Sequence, residues 1–302
     1  MLPTPIAVVG PTASGKSALG VALAHALDGE VVNVDSMQLY RGMDIGTAKL
    51  SVDEREGIPH HQLDVWNVTE TASVARYQAA TIADVEDIQS RGKTPILVGG
   101  SMLYVQSLVD DWQFPPTDPD VRRKYEDLRL DIGTAALHDL LAERDPQAAE
   151  TIEDQDPRRT VRALEVIELT GRPFQASQPP KNAPPRWGTR LLGLYAPAEW
   201  LYPRIELRTR QMFAQGLVGE VEGLKEMGLQ AESTAGRAIG YAQVLQYLDG
   251  QLSLDGAEEK TVFGTRRYVR RQRSWFRRDK RIYWLDAAGD TFAGAQQALG
   301  LG

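Results

Sequence analysis

Gly10-Pro11-Thr12-Ala13-Ser14-Gly15-Lys16-Ser17 brings together residue types that can hold a chain of phosphates. Glycines at this spacing let backbone N–H groups crowd around an anion. A helix starting at the lysine adds partial positive charge. Lys16 brings a mobile cation, and the Ser17 hydroxyl is a hard oxygen donor suited to Mg²⁺. A second chemical residue is Asp35, in Val34-Asp35-Ser36. Its carboxylate can hold a metal, accept a proton from a nucleophile, or cap the turn it begins. Phosphate-loop hydrolases usually carry an acid at the end of a further apolar strand. The corresponding run here, Pro95-Ile96-Leu97-Val98, ends in Gly99-Gly100, which weakens a nucleotide-hydrolysing reading and leaves a small-molecule kinase open.

A third feature is basic. Arg266, Arg267, Arg270, Arg271, Arg273, Arg277 and Arg278 are interleaved with Phe263, Tyr268, Trp275 and Phe276. Guanidinium groups suit phosphates and flat rings suit unstacked bases, which fits RNA. Arginines clamping a diphosphate or a merely solvated face fit the same residues. A smaller basic cluster, Arg158-Arg159-Thr160-Val161-Arg162, follows Asp156-Pro157. Charge is segregated: the 302 residues carry −7 overall, yet 261–281 hold nine Lys/Arg against one acid.

Positioning these groups requires strands that end at them. Ile6-Ala7-Val8-Val9 precedes the glycine loop, and a helix pattern over 18–27 follows it. A second strand over 30–34 delivers Asp35, and a third over 95–98 delivers Gly99 to Ser101. A strand over 190–195 and another over 282–285 complete the pattern. Apolar runs alternating with helices predict an α/β fold with a parallel sheet. The stretch 37–49, with glycines at 42 and 46, reads as an active-site loop. Adjacent His60 and His61 would point to opposite faces of a strand, which argues against a shared metal. Between two proline clusters the pattern changes to helices, with Asp118, Thr134 and Asp156 as expected caps. This predicts a helical insertion over 114–188, flanked by core segments 1–113 and 189–302, with linkers near 113–117 and 176–188.

Hydrophobic and charged contents of 42% and 25% are those of a globular chain. No apolar run is long enough to span a membrane, no secretory signal is visible, and no cysteine is present. A cytoplasmic protein is expected.

Several stretches together resemble the tRNA dimethylallyltransferase (tRNA isopentenyltransferase) family in its shorter, bacterial-type form. They are Gly10–Ser17, Val34-Asp35-Ser36-Met37-Gln38-Leu39-Tyr40, Gly42-Met43-Asp44-Ile45-Gly46-Thr47-Ala48-Lys49, Pro59-His60-His61, Val98-Gly99-Gly100-Ser101, Asp156-Pro157-Arg158-Arg159, Arg162-Ala163-Leu164-Glu165 and Ala238-Ile239-Gly240-Tyr241. The resemblance implies a phosphate-loop NTPase-like core. It implies transfer of a dimethylallyl group from dimethylallyl diphosphate to N6 of the adenosine beside the anticodon, with Mg²⁺ as cofactor. The tRNA anticodon stem-loop would be the partner, and a monomer is expected. Asp35, Ser17 and Lys16 would be catalytic. Gly10, Thr12, Ala13, Ser14, Gly15, Lys16, Ser17 and Arg208 would bind diphosphate, with Ser17 on the metal. Asp35, Ser36, Met37, Gln38, Ser101, Arg122, Arg158, Arg159, Thr160, Val161 and Arg162 would touch tRNA.

Overall fold

The computed structural model describes residues 2–110, 112–174 and 183–301. The chain runs β1 (Ile6–Val9), α1 (Lys16–Ala26), β2 (Gly29–Asn33), β3 (His60–His61), α2 (Val74–Ser90), β4 (Thr94–Gly99) and α3 (Met102–Val109). Next come α4 (Pro119–Ile132), α5 (Thr134–Arg144), α6 (Pro146–Thr151) and α7 (Pro157–Thr170). The chain ends with β5 (Arg190–Tyr195), α8 (Ala198–Ala214), α9 (Leu217–Glu226), α10 (Tyr241–Leu248), α11 (Leu254–Phe276), β6 (Tyr283–Asp286) and α12 (Thr291–Leu299).

Two compact units result, residues 1–109 with 184–302, and residues 110–183. These boundaries differ from the expected 113/114 and 188/189. Arg186 explains the second: its Nε–H donates to Leu108 O at 3.0 Å, so 186–188 already belongs to the first unit. Near the first boundary, Trp112 packs on Phe114, and the Pro115 and Pro116 carbonyls accept from Arg162 of α7. Residues 176–182 of the expected second linker lie outside the described residues.

The first unit is built on a six-stranded sheet in the order β3-β2-β4-β1-β5-β6, with every pair parallel. The inner strands are apolar almost throughout because helices cover both faces. Glu30 and Asn33 are buried polar exceptions in β2, and Glu30 is a carboxylate. Arg91 donates Nη2–H to its Oε2 at 2.9 Å and His61 Nε2 lies 2.7 Å from the same oxygen, so it is not an unpaired buried charge. Those bonds hold the Glu30 carboxyl down at about 2. His60 instead lines the cavity described below, so the two histidines do diverge.

The second unit, described by itself, packs α4, α5, α6 and α7 around Tyr125, Leu137, Leu141, Ile152, Val161 and Leu164. Three of its helices start with one device: an Asp cap followed by proline at the first helical position. The residues are Asp118-Pro119, Asp145-Pro146 and Asp156-Pro157. Thr134 does not cap α5; the cap is Gly133, and Thr134 is the first helical residue. The short α6 and the terminal α12 were not expected, and α11 stops at Phe276.

At the centre of this unit Glu165 is fully buried between two arginines. Arg122 Nη2 and Arg162 Nη1 each lie 2.8 Å from its Oε2, while Thr117 Oγ1 and the Asp118 N–H donate to Oε1. Burial alone would raise the Glu165 carboxyl. The bonds from Arg162, Thr117, Arg122 and Asp118 outweigh it and hold the pKa at about 2. Because the folded value lies below the ordinary 4.5, this stabilisation is present above pH 4.5 and lost as pH falls toward 2. Glu165→Ala removes the carboxylate that two partly exposed guanidiniums share and should cost about 1–3 kcal/mol. Limited proteolysis should then cut within 110–183 before the first unit; unchanged protection would refute the assignment.

Candidate active site

Parallel pairing brings the carboxyl ends of β2, β4 and β1 side by side, as the registers Asn33 with Val98 and Val9 with Gly99 show. In open α/β sheets this edge is where ligands bind. Here the edge borders a cavity of about 1200 Å³ lined by residues of the first unit.

Thr12, Ala13, Ser14, Gly15, Lys16 and Ser17 line that cavity. Gly15, at φ +94°, lets the loop enter α1 at Lys16 in a conformation that a side chain would strain. Lys16 Nζ and Ser14 Oγ both donate to Pro11 O at 2.8 Å, so the loop is closed on itself. Gly10 is placed differently from expectation. It is buried beneath the loop, where a Cβ would lie 2.8 Å from Leu194 O of β5. Its part is to let β1 leave the sheet beside β5, away from the cavity wall.

Lys16 is half-buried, and burial pushes its ammonium down to about 8, against the opposing pull of the Asp35 carboxylate. Arg208 lines the same cavity from α8, four residues beyond Arg204, whose Nε–H donates to Ala13 O. Burial also lowers Arg208, and the Asp35 charge opposes that. Two cations and one carboxylate thus share a cavity in electrostatic contact.

Asp35, Ser36, Met37 and Gln38 follow β2 and line the cavity. Asp35 Oδ1 accepts the Met37 N–H at 3.0 Å, an Asx turn that leaves Oδ2 for other partners. Asn33 braces the turn from below, accepting from the Asp35 N–H and donating to the Asp35 and Gln62 carbonyls. Ser101, expected on the RNA, is only 5% exposed. Its Oγ accepts the Ser36 N–H at 2.9 Å and lies 3.1 Å from Ser36 Oγ. The β4–α3 turn therefore holds the Asp35 turn in place.

The 43–49 loop forms another wall. Its lysine, Lys49, has a buried side chain and sits 2.6 Å from both Asp44 and Asp64. Glu220 of α9 accepts the Asp44, Ile45 and Gly46 N–H groups and the Tyr241 hydroxyl. The tyrosine ring fills the space where a Gly46 side chain would be. Gln38 donates to the Thr47 and Ala48 carbonyls from the other side.

The arginine-rich stretch does not act as one surface. On α11, Arg271 and Tyr268 line the cavity. Arg266 pairs with Glu206 and lies over Tyr202, and Arg273 and Arg277 lie over Tyr195. Arg267, Arg270 and Arg278 are exposed. The inward face carries Gln272, Val269 and Phe276.

In the second unit, Arg158 and Arg159 are exposed at the start of α7. Thr160 and Val161 are buried, because helical periodicity turns those two positions into the core. Their side chains do not fit the RNA contact expected of them. Arg122 and Arg162 are committed to Glu165, with part of each guanidinium exposed. Glu220, Tyr241 and Gln272 were not singled out as site residues; Tyr241 entered only within the Ala238–Tyr241 motif, and no local spacing marks Glu220 or Gln272.

Comparison with known proteins identifies the family. The family model described as "IPP transferase" matches residues 38–279. A tRNA dimethylallyltransferase of Corynebacterium glutamicum is 73% identical over 298 residues, covering 99% of both chains. That of Nocardia farcinica is 64% identical over 94% of this chain and 90% of the relative. Among solved structures, the tRNA isopentenylpyrophosphate transferase of Bacillus halodurans is 37% identical with a TM-score of 0.72, covering 99% of this chain and 95% of that one. A eukaryotic dimethylallyltransferase acting on tRNA is 29% identical with a TM-score of 0.81, covering 98% of this chain and 78% of that one. Both the sequence span and the shared fold show that the chain belongs to the IPP transferase family, the tRNA dimethylallyltransferases.

Proposed function

We propose the roles by which this chain's residues carry the family's reaction. A dimethylallyl group passes from dimethylallyl diphosphate to N6 of the adenosine beside the anticodon in tRNA, and diphosphate leaves. The observation that carries the reading is the convergence of Lys16, Arg208 and Asp35 on one cavity at the carboxyl edge of the sheet.

The Thr12–Ser17 loop, the α1 N-terminus, Lys16 and Arg208 bind the diphosphate and stabilise charge growing on its oxygen as the allylic C–O bond breaks. Lys16 then exchanges the Pro11 carbonyl for a phosphate oxygen. The exocyclic amine of adenine is a weak nucleophile, so Asp35 accepts its proton as the C–N bond forms. The base must leave its stack to reach the carboxylate. Ser36 to Gln38 line its approach, and the exposed Arg158 and Arg159 contact the RNA backbone.

The donors at the loop fit a hard divalent ion. Ser17 offers a hydroxyl and Asp35 a carboxylate, both hard oxygen donors, and the chain has no cysteine. Ser17 would hold Mg²⁺ together with diphosphate oxygens, and bound there it would neutralise charge on the leaving group. No helix among the described residues is long and apolar enough to cross a membrane. A cytoplasmic monomer is the proposed working form.

Labelled dimethylallyl diphosphate, Mg²⁺ and an anticodon stem-loop should give label in a single modified adenosine after nucleoside digestion. AMP offered in parallel should be a poor acceptor. Preferential labelling of AMP would overturn the tRNA reading.

A further inference from the structure

The strand order puts β4 between β1 and β2, so the phosphate loop and the Asp35 turn are separated by the end of β4. Neighbouring strands are about 4.8 Å apart, so the two reacting groups are mounted roughly 10 Å apart across the sheet. One side chain spans half of that gap. Gln272 of α11 is 1% exposed, and both ends of its carboxamide are hydrogen-bonded. Its Oε1 accepts the Thr12 N–H at 3.0 Å, and its Nε2–H donates to Gly100 O at 2.9 Å. A Cβ at position 100 would come within 2.3 Å of that Nε2, so any other residue there would displace the Gln272 carboxamide. The Tyr268 hydroxyl, one helical turn earlier, donates to the same carbonyl at 3.3 Å. The other half of the gap is spanned by Ser101, which follows Gly100 and binds the Ser36 N–H and hydroxyl.

From this we infer that Gln272 is a positioning residue. With Ser101 it forms a continuous strap from Thr12 of the phosphate loop to Ser36 beside Asp35, and the strap holds leaving-group site and proton acceptor at one separation. The inference rests on the roles proposed above for the phosphate loop and Asp35. Two features favour a strap over mere core filling. A carboxamide bonded to backbone groups in the turns after two different strands transmits position, which an apolar side chain of the same size does not. The Thr12 N–H it takes belongs to the cavity-lining loop itself. Neither atom of Gln272 needs to touch substrate for a shift here to matter, because displacement of about 1 Å can cost on the order of 100-fold in rate.

Gln272→Met keeps length and volume and removes both hydrogen bonds. In single-turnover transfer to an anticodon stem-loop, the rate per folded molecule should fall roughly 10–100-fold. Dissociation constants for inorganic diphosphate and for the stem-loop should each move less than about threefold, because uniform binding is not what the strap supplies. Gln272→Glu, which keeps the acceptor for Thr12 and loses the donor to Gly100, provides a second reading if the methionine variant fails to fold; its rate should fall in the same direction. Ser101→Ala should lower the rate as well, and the double variant should lose less than the product of the two single losses, since both interrupt one chain. Unchanged single-turnover rates, strictly multiplicative losses, or a rate restored by saturating donor would each overturn the strap. Asp35→Asn measured alongside separates the two levels. Full transfer by that variant removes the base assignment on which the strap rests, whereas normal transfer by Gln272→Met beside an inactive Asp35→Asn removes the strap alone.

Discussion

Asp35→Asn should lose roughly 10²–10⁴-fold in transfer, the usual contribution of a positioned general base. The substitution is chosen for what it preserves. Asparagine Oδ1 can still accept the Met37 N–H, so the Asx turn after β2 survives. The Asn33 bonds below and the Ser101 bond to Ser36 are untouched. What disappears is the ability to take a proton from the adenine amine, together with the negative charge felt by Lys16, Arg208 and Tyr268. Stem-loop affinity and thermal midpoint should therefore stay close to those of the parent, while single-turnover transfer collapses. A variant that transfers within threefold of the parent would remove Asp35 from the chemistry and leave it as a turn residue.

Lys16→Met should be comparably severe for a different reason. Removing one preorganised donor from developing oxyanion charge costs about 10²–10³-fold. The loss should appear in donor affinity as well as rate, because the ammonium meets the diphosphate before and during departure. Burial places the Lys16 pKa at about 8 in the ligand-free chain. The protonated form is the one that binds an anion. Donor affinity should thus be level below pH 8 and fall by up to tenfold per pH unit above it, until bound diphosphate restores the proton. The methionine variant should lack that alkaline limb. An unaltered limb in Lys16→Met would assign the titration to another group. RNA affinity, set by residues outside the phosphate loop, should change little.

The two variants test opposite ends of one arrangement, and its parts differ in how far they could be read from residues alone. The phosphate loop was legible because its chemistry is local: eight consecutive residues between an apolar strand and a helix define it. The Asp35 turn was legible for the same reason, as was the alternation of strands and helices. Two placements depend on geometry that spacing does not carry. Gly10 belongs to the loop motif but faces β5, and Thr160 and Val161 sit within a basic cluster but turn into a helical core. Ser101 is a further case, since the hydroxyl is spent on Ser36.

Sequence by itself determined which chemistry is available: a phosphate cradle, a carboxylate, arginines and their order along the chain. It also determined that β4 ends in Gly99-Gly100 without an acid. Only the tertiary structure decided what that absence means. The sheet order β2-β4-β1 makes the end of β4 a spacer between cradle and carboxylate, and glycines there leave room for neighbours to close in. Gln272 enters that space from 172 residues away and Glu220 secures the 43–49 loop from 174 to 176 residues away. Contacts of that kind depend on strand order and on which helix packs against which edge. These are global properties of the folded chain, set by burial of many apolar faces at once, and no local pattern around residues 220 or 272 encodes them.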